Sequence, residues 1–223
     1  MNLARRTMNN PVFALLYERA WRPTSFLLAT GRTMHADRRD AVRTLRLGAG
    51  DRVLDIACGP GNFTHYLSEH IGTGYAVGID FSVPMLRQAV ADNSGPRAGY
   101  VRGDARRLPF PDNSFDAVCC FGALYLIPDP LTAAAEMIRV LAPGGRIAIS
   151  TSHRPQGWAG RVSTAVGGAG GLRVFELDTF PKLFAEYGLV DIEQEVHGLL
   201  QYVSARAAQA ADTGGTSKRV APQ

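Results

Sequence analysis

Lysine is almost missing from this chain. It occurs at positions 182 and 218 and nowhere else, while arginine supplies the rest of the 24 basic residues. That leaves no lysine-rich tract, and no patch of basic and aromatic residues, of the kind that grips nucleic acid. Cysteine is scarce and odd in number, at Cys58, Cys119 and Cys120. Three thiols on predicted buried strands do not make a disulfide framework. No Cys/His spacing resembles a zinc site, so no metal is expected. The three cysteines read as reduced core thiols of a cytoplasmic protein. Long apolar runs are missing too, since none approaches the ~20 residues of a membrane span. The basic start Met1–Arg6 is followed by an apolar run, Phe13–Leu16, that Glu18 and Arg19 interrupt. A cleaved leader is therefore not expected. No internal repeat is visible.

What is present describes a globular protein. Of 223 residues, 46% are hydrophobic and 20% charged, enough for one domain with a real core and appended ends. The net charge of +4 is uneven. Residues 1–52 carry ten arginines against four acids, and the remainder is slightly acidic. Such a basic arm suits an anionic substrate, a membrane surface or nucleic acid. The plainer reading is a solvated helix face.

The richest stretch is Val53-Leu54-Asp55-Ile56-Ala57-Cys58-Gly59-Pro60-Gly61-Asn62-Phe63-Thr64. An apolar run meets an acid, then a small-residue turn, then a helix-compatible segment. That is a buried strand feeding a tight loop at the start of a helix. Gly59 and Gly61 allow a sharp turn and a close ligand approach. Asp55 sits near a strand end, where open α/β sheets bind ligands. A dinucleotide loop would read G-x-G-x-x-G; here Ala57, Gly59 and Gly61 set the spacing and Thr64 takes the last position. A pyrophosphate would be repelled by the preceding acid, whereas a cationic ligand would not.

Further blocks follow in order. Asp80 ends the run Tyr75–Ile79 about twenty residues on, where an acid accepts ribose hydroxyls in nucleotide-binding βαβ units. Phe81-Ser82-Val83-Pro84-Met85 follows, with Ser82 as a helix N-cap and Pro84 in the first turn. Gly103-Asp104-Ala105 succeeds a short strand. Leu108-Pro109-Phe110-Pro111-Asp112-Asn113-Ser114-Phe115-Asp116 leads into Ala117–Phe121, and Pro143-Gly144-Gly145 separates a helix from the strand Arg146–Ser152.

These four blocks resemble the motifs of class I S-adenosylmethionine (SAM)-dependent methyltransferases of the "type 11" kind, over about residues 50 to 206. The menaquinone/ubiquinone C-methyltransferases are among the relatives nearest in motif wording. The resemblance implies SAM as cofactor and S-adenosylhomocysteine (SAH) as product. It assigns cofactor contacts to Tyr17, Asp55, Ala57, Cys58, Gly59, Gly61, Asp80, Phe81, Met85, Asp104, Ala105 and Phe121. Within that set, Asp80 would hold the ribose, Met85 would pack near the adenine, and Asp104 would accept from the adenine amino group. Tyr17 resembles the N-terminal tyrosine that approaches SAM in many relatives. Relatives have glycine where this chain has Ala57, and a small residue there is expected to keep binding intact.

Strands and helices alternate, which predicts an α/β doubly wound sheet. Helices are expected over 11–29, 35–47, 62–70, 83–92, 131–141 and 179–187. Strands are expected over 52–57, 75–80, 98–102, 115–121, 146–152, 190–196 and 201–207. By resemblance the fold is a Rossmann-like seven-stranded sheet with strand 7 antiparallel. Residues 1–48 would form an N-terminal helical lid, 49–207 the core with an inserted lid at 153–177, and 208–223 a disordered tail.

The acceptor would sit at the carboxyl edge of the sheet. Methyl transfer is an in-line displacement, so alignment and exclusion of water dominate. His153, just past the fifth strand, is the candidate base, and Tyr125 the candidate orienting group; the plainer reading of His153 is structural. Trp21, Trp158 and Phe175 would form pocket walls, and the glycines of 166–171 a lid. The Asn/Asp-Pro-Pro-aromatic motif of base-amino methyltransferases is missing after the fourth strand, as is the glutamate pair of protein arginine methyltransferases. A small hydrophobic or amphipathic acceptor is therefore favoured: a quinone, lipid or secondary metabolite. A nucleic-acid methyltransferase, or a SAM-binding protein without methyl transfer, remains the alternative.

Overall fold

The computed structural model of the chain describes residues 27, 29–155 and 173–209. Tyr17, Trp21, Trp158, the glycines of 166–171, the first predicted helix up to residue 26 and the tail beyond 209 lie outside the described residues.

The elements run α1 (Met34–Leu45), β1 (Arg52–Ile56), α2 (Asn62–Ser68), β2 (Tyr75–Asp80), α3 (Val83–Asn93), β3 (Ala98–Arg102), β4 (Phe115–Phe121), a 3-10 turn (Leu124–Leu126), α4 (Pro130–Val140), β5 (Leu141–Ser152), α5 (Thr179–Glu186), β6 (Leu189–His197) and β7 (Leu200–Ala207). The seven strands form one sheet in the order β3-β2-β1-β4-β5-β7-β6. Strands β1 to β5 pair in parallel. Strand β7 is antiparallel to both β5 and β6, as expected. Strand order reverses between β1 and β4, so the ligand crevice of such a sheet lies at their carboxyl ends.

Each helix shows why it sits where it does. In α4, Asp129 caps the N-terminus by accepting from Thr132 N, and Pro130 occupies the first turn. Its buried residues Ala133, Ala134, Met137 and Val140 fall on one stripe at helical spacing. That stripe packs with Leu124, Ile147, Ile149, Phe180 and Phe184 on one face of the sheet. On the opposite face Leu45 of α1 and Leu67 of α2 close over Val53, Ala76, Ala117, Cys119 and Ala148. All three cysteines are buried and unpaired. Thr33 caps α1 by accepting from Ala36 N.

Two local features differ from the sequence expectation. Helix α4 passes into β5 at Leu141, five residues ahead of Arg146, so Pro143-Gly144-Gly145 lies within the strand. The strand tolerates it because Phe115 pairs with Leu141 and the register then shifts before Ala117 meets Arg146, a bulge that absorbs the glycine turn. Ser82 precedes α3 but makes no side-chain capping bond; Asp80 Oδ1 accepts from Ser82 N instead, at 2.7 Å.

The run 108–116 serves as a fastener. Arg139 of α4 donates to Phe110 O and Leu108 O and pairs with Asp112 and Glu136. Glu136 in turn accepts from Leu108 N, and its carboxyl lies below the ordinary range chiefly because of Arg139. Phe110 meets Phe115 edge-on at 5.0 Å. The connection into β4 is thereby pinned to α4. Asp116 accepts from both the backbone and the side chain of Arg52 at the opposite end of the strands from the crevice.

Candidate functional site: a nucleotide cradle at the carboxyl edge

The loop after β1 takes the shape that its small residues permit. Gly59 has φ +57° and Gly61 has φ +81°, values that glycine adopts without cost. A side chain at Gly61 would strike Tyr100, whose hydroxyl oxygen would lie 2.5 Å from its Cβ. Ala57 also stands at φ +56°. The substitution of alanine at the family's glycine position is thus paid in backbone strain, about 1–2 kcal/mol.

Asp80 ties the loop to β2. Its Oδ2 accepts from Gly59 N at 2.9 Å and its Oδ1 from Ser82 N. Burial pushes the Asp80 carboxyl above its ordinary value, and amide donation from Ser82, Gly59 and Phe81 pulls the other way. A carboxylate has about four lone-pair directions and three amides take three of them, so about one position remains for the ribose. At Gly59 an added Cβ would meet nothing within 4 Å, so the loop faces open space beside that carboxylate. The residues present therefore fit the nucleoside of SAM.

Asp55 faces inward. It is 3% exposed, and its Oδ2 accepts from Thr64 Oγ1 at 2.7 Å. Its negative charge lies beneath the loop and favours a cationic ligand by its field. Burial is the main cause, and Asp55 a secondary one, of the raised thiols at Cys58, Cys119 and Cys120. Phe81 is 46% exposed at the rim, with the Arg102 guanidinium 6.0 Å from its ring centroid. Met85 is 3% exposed and belongs to the core. Asp104 is engaged by Arg106, with Arg106 Nη2 at 2.6 Å and Arg106 N at 3.0 Å. The adenine amino group would share that carboxylate with Arg106. Ala105 is half-buried against the core.

Two supports were not anticipated from sequence. The Tyr100 hydroxyl lies 2.8 Å from Asn93 O and 3.2 Å from Gly61 O. Asn93 Nδ2 donates to Pro60 O at 2.7 Å. A β3 tyrosine and the last residue of α3 thus brace the loop from behind. Gly78 leaves room for this: its Cβ would lie 2.8 Å from Cys58 Sγ, Thr64 Oγ1 and Tyr100 Cδ1. A glycine inside a predicted strand was the available signal.

Beyond β4 the chain turns through Gly122, whose N–H donates to Ser150 O and Oγ. The Tyr125 hydroxyl would lie 3.8 Å from a Cβ at Gly122, beside the crevice. Phe121 turns the other way, meeting Phe63 edge-on at 5.3 Å. It lines a solvent-open groove between α1 and β5–β7, together with Arg32, Asp40, Glu195, His197 and Tyr202. Arg32 pairs there with Asp40 and lies 3.0 Å from His197 Nε2. His153 is 8% exposed. Its Nε2 lies 2.9 Å from Gly198 O in the β6–β7 turn, and Arg154 N donates to Phe175 O alongside. It stands three strands from Asp80, roughly 14 Å at ordinary strand spacing, on the same edge.

Residues 53–145 match the family described as methyltransferase domain. Over that stretch the chain carries a methyltransferase domain. The demethylmenaquinone methyltransferase of Listeria monocytogenes serotype 4a is 37% identical over 127 residues, 54% of this chain and 54% of that protein. The chain thus spans about half the length of the curated relatives it matches. Among solved structures, phosphoethanolamine N-methyltransferase 2 of Haemonchus contortus, in complex with SAM, superposes with TM-score 0.75 at 19% identity, covering 92% of this chain and 59% of that one. A SAM-dependent methyltransferase from Aquifex aeolicus gives TM-score 0.66 at 19% identity, covering 89% and 99%. These likenesses show the fold of the methyltransferase domain. Among the described residues, no helix is long and apolar enough to cross a membrane.

Proposed function

We propose that the chain transfers a methyl group from SAM to a small hydrophobic or amphipathic acceptor, of which a quinone is the leading class. The observation that carries this is the match of its methyltransferase domain to proteins named demethylmenaquinone methyltransferase, at 37–39% identity. The Asp80 carboxylate and the Gly59 loop supply the cofactor's seat. When bound, SAM supplies an electrophilic methyl group on a cationic sulfur. The chain's own residues bind, orient and dehydrate. Asp80 would accept the ribose hydroxyls, Asp55 would favour the positive charge from beneath, and Phe81 would flank the adenine. Asp104 would take the adenine amino group, and Tyr17 would close on the cofactor from the N-terminal arm. Tyr125, at the turn after β4, would orient the acceptor beside the methyl group. His153 would take a proton from it. The basic segment 1–52 would allow peripheral contact with a membrane surface where amphipathic acceptors partition, from the cytoplasm.

The test is transfer of labelled methyl from SAM to a panel of quinols, phenols, lipids and short RNAs. Label in an extractable small molecule supports the proposal. Label in RNA would overturn it in favour of a nucleic-acid methyltransferase, and SAM binding without product on any acceptor would favour a SAM-binding protein that transfers no methyl.

A further inference from the structure

Three arginines meet at the end of the sheet away from the crevice. Arg146 lies on β5 just past the bulge and stands directly opposite Arg206 of β7 in the antiparallel register. Residues paired this way present their side chains on one face, with Cβ atoms about 5 Å apart. The face is the one under α1, because Ala148, two residues beyond Arg146, packs with Leu45 of that helix. Arg46 follows Leu45 directly, at the C-terminus of α1. Burial first, and the Arg46 charge next, hold the Arg146 guanidinium below the ordinary arginine value.

Like charges opposite one another across a ladder are destabilising, and the nearby acids do not cancel these. Asp191 Oδ2 takes Arg206 Nε at 2.8 Å. Glu193 of β6, opposite Ser204 in the register, faces the same surface and forms no ion pair among the described residues. The guanidiniums of Arg46 and Arg146 make neither a hydrogen bond nor an ion pair among the described residues. Two positive charges are therefore left unpaired. The backbone beside them is unusual as well. Arg46 has φ +48° and Asp191 φ +52°, two of the four non-glycine residues in the left-handed region among the described residues. Helix C-termini commonly place glycine in that conformation, and strain held by other residues gathers at ligand clamps.

We propose that Arg46 and Arg146, backed by Arg206, bind the phosphate group of a phosphomonoester. The charge count favours this ligand. A phosphomonoester carries about −1.5 to −2 near pH 7 and offers three acceptor oxygens, whereas a carboxylate brings a single charge and two oxygens. Each guanidinium presents a planar fork that takes two phosphate oxygens at once, so one dianion pairs both arginines. Glu193 and Glu195 line the groove on this same face. They confine the positive field to a small spot and disfavour an extended polyanion such as RNA. The site lies roughly 20 Å along β5 from the crevice, at ordinary strand rise. Phosphate there does not compete with SAM, and the proposal stands apart from the methyltransferase reading. The phosphate belongs either to a soluble metabolite or to a lipid headgroup; the chemistry at the arginines is the same.

The test is titration of the full chain with inorganic phosphate at low salt, followed through the arginine Nε–H signals by nitrogen-15 NMR. The Arg46 and Arg146 signals should move along one saturating curve while those of Arg52 and Arg139 stay still. Arg146→Gln should weaken phosphate by about tenfold or more, from the loss of charge-assisted bonds. Arg46→Gly should do the same while raising the urea midpoint, since glycine suits that backbone. Asp191→Asn removes the nearest anion and should tighten phosphate by about threefold or more. Shifts that do not saturate at millimolar phosphate, shifts spread evenly over all arginines, or unchanged affinity in Arg146→Gln and Arg46→Gly overturn the site. Two further probes separate the sources. Saturable binding of glycerol 3-phosphate supports a soluble ligand. Sedimentation with phosphatidylcholine vesicles containing phosphatidic acid, lost in Arg146→Gln, supports a headgroup. Inorganic phosphate bound with neither of these overturns the phosphomonoester assignment.

Discussion

Replacing Asp80 with alanine separates the cofactor seat from the fold that carries it. The carboxylate accepts from backbone amides, among them Gly59 N at 2.9 Å and Ser82 N at 2.7 Å, and it is held above its ordinary pKa by burial. In the free protein these terms offset each other: lost charge-assisted bonds cost about 1.5–3 kcal/mol each, while removing a desolvated charge returns a comparable amount. Stability should therefore change by no more than about 1 kcal/mol. Binding has no such compensation. The ribose hydroxyls lose a charged acceptor, and Gly59 loses the anchor that shapes the loop. SAH affinity should fall by about 1–3 kcal/mol, or roughly 5- to 150-fold. Calorimetric titration with SAH, run beside urea denaturation of the same preparation, reads both quantities. Unchanged SAH affinity would refute the ribose assignment. A protein unfolded by the substitution would refute the offset argued here.

Acidity should act through the same group. Asp80 has a raised pKa in the free protein, and ribose donors favour its ionised form, so SAH affinity should drop as pH falls through that raised value and stay flat above it. Binding at a pH within that titration should release a proton, read from calorimetry in two buffers, and Asp80→Asn should abolish the release. The sign for stability is opposite, because ionising a carboxyl whose folded pKa is raised costs stability as pH increases. Ala57→Gly relieves the φ +56° backbone at a smaller entropic cost, so urea denaturation should show a gain of about 0.5–1 kcal/mol; a loss would contradict the strained geometry. Gly78→Ala drives a Cβ to 2.8 Å from Cys58, Thr64 and Tyr100, and should cost about 1–3 kcal/mol of stability together with SAH affinity. His153→Ala should leave SAH affinity intact and lower turnover by about 10²-fold or more; full activity would remove it from the chemistry.

The sheet was legible because each parallel strand is a short apolar run closed by a turn residue, and the antiparallel β7 came from the family likeness. The run 108–116 was recognisable as a string, yet its purpose needed the structure. Arg139 lies more than twenty residues on, and nothing local says that it would gather Leu108 O, Phe110 O and Asp112. The same holds for Asp104, whose neighbour Arg106 curls back onto it, and for Tyr100, whose hydroxyl reaches the loop only because β3 lies beside β2. The Pro143-Gly144-Gly145 break was read one element too strongly, since pairing of Leu141 with Phe115 begins the strand early. At Ala57 the residue's size was considered and its dihedral could not be. His153 was placed correctly after β5, but the carbonyl that sets its tautomer belongs to a turn 45 residues away.

The most direct trial of the account is transfer itself. The purified chain is given methyl-labelled SAM and demethylmenaquinone reduced in place, and the organic extract is counted against an Asp80→Ala control. The account predicts label in a small apolar product, with equimolar SAH, and little of either in the control. SAM bound with normal affinity, and no methylated product from this or any quinol, phenol or lipid offered, would contradict it.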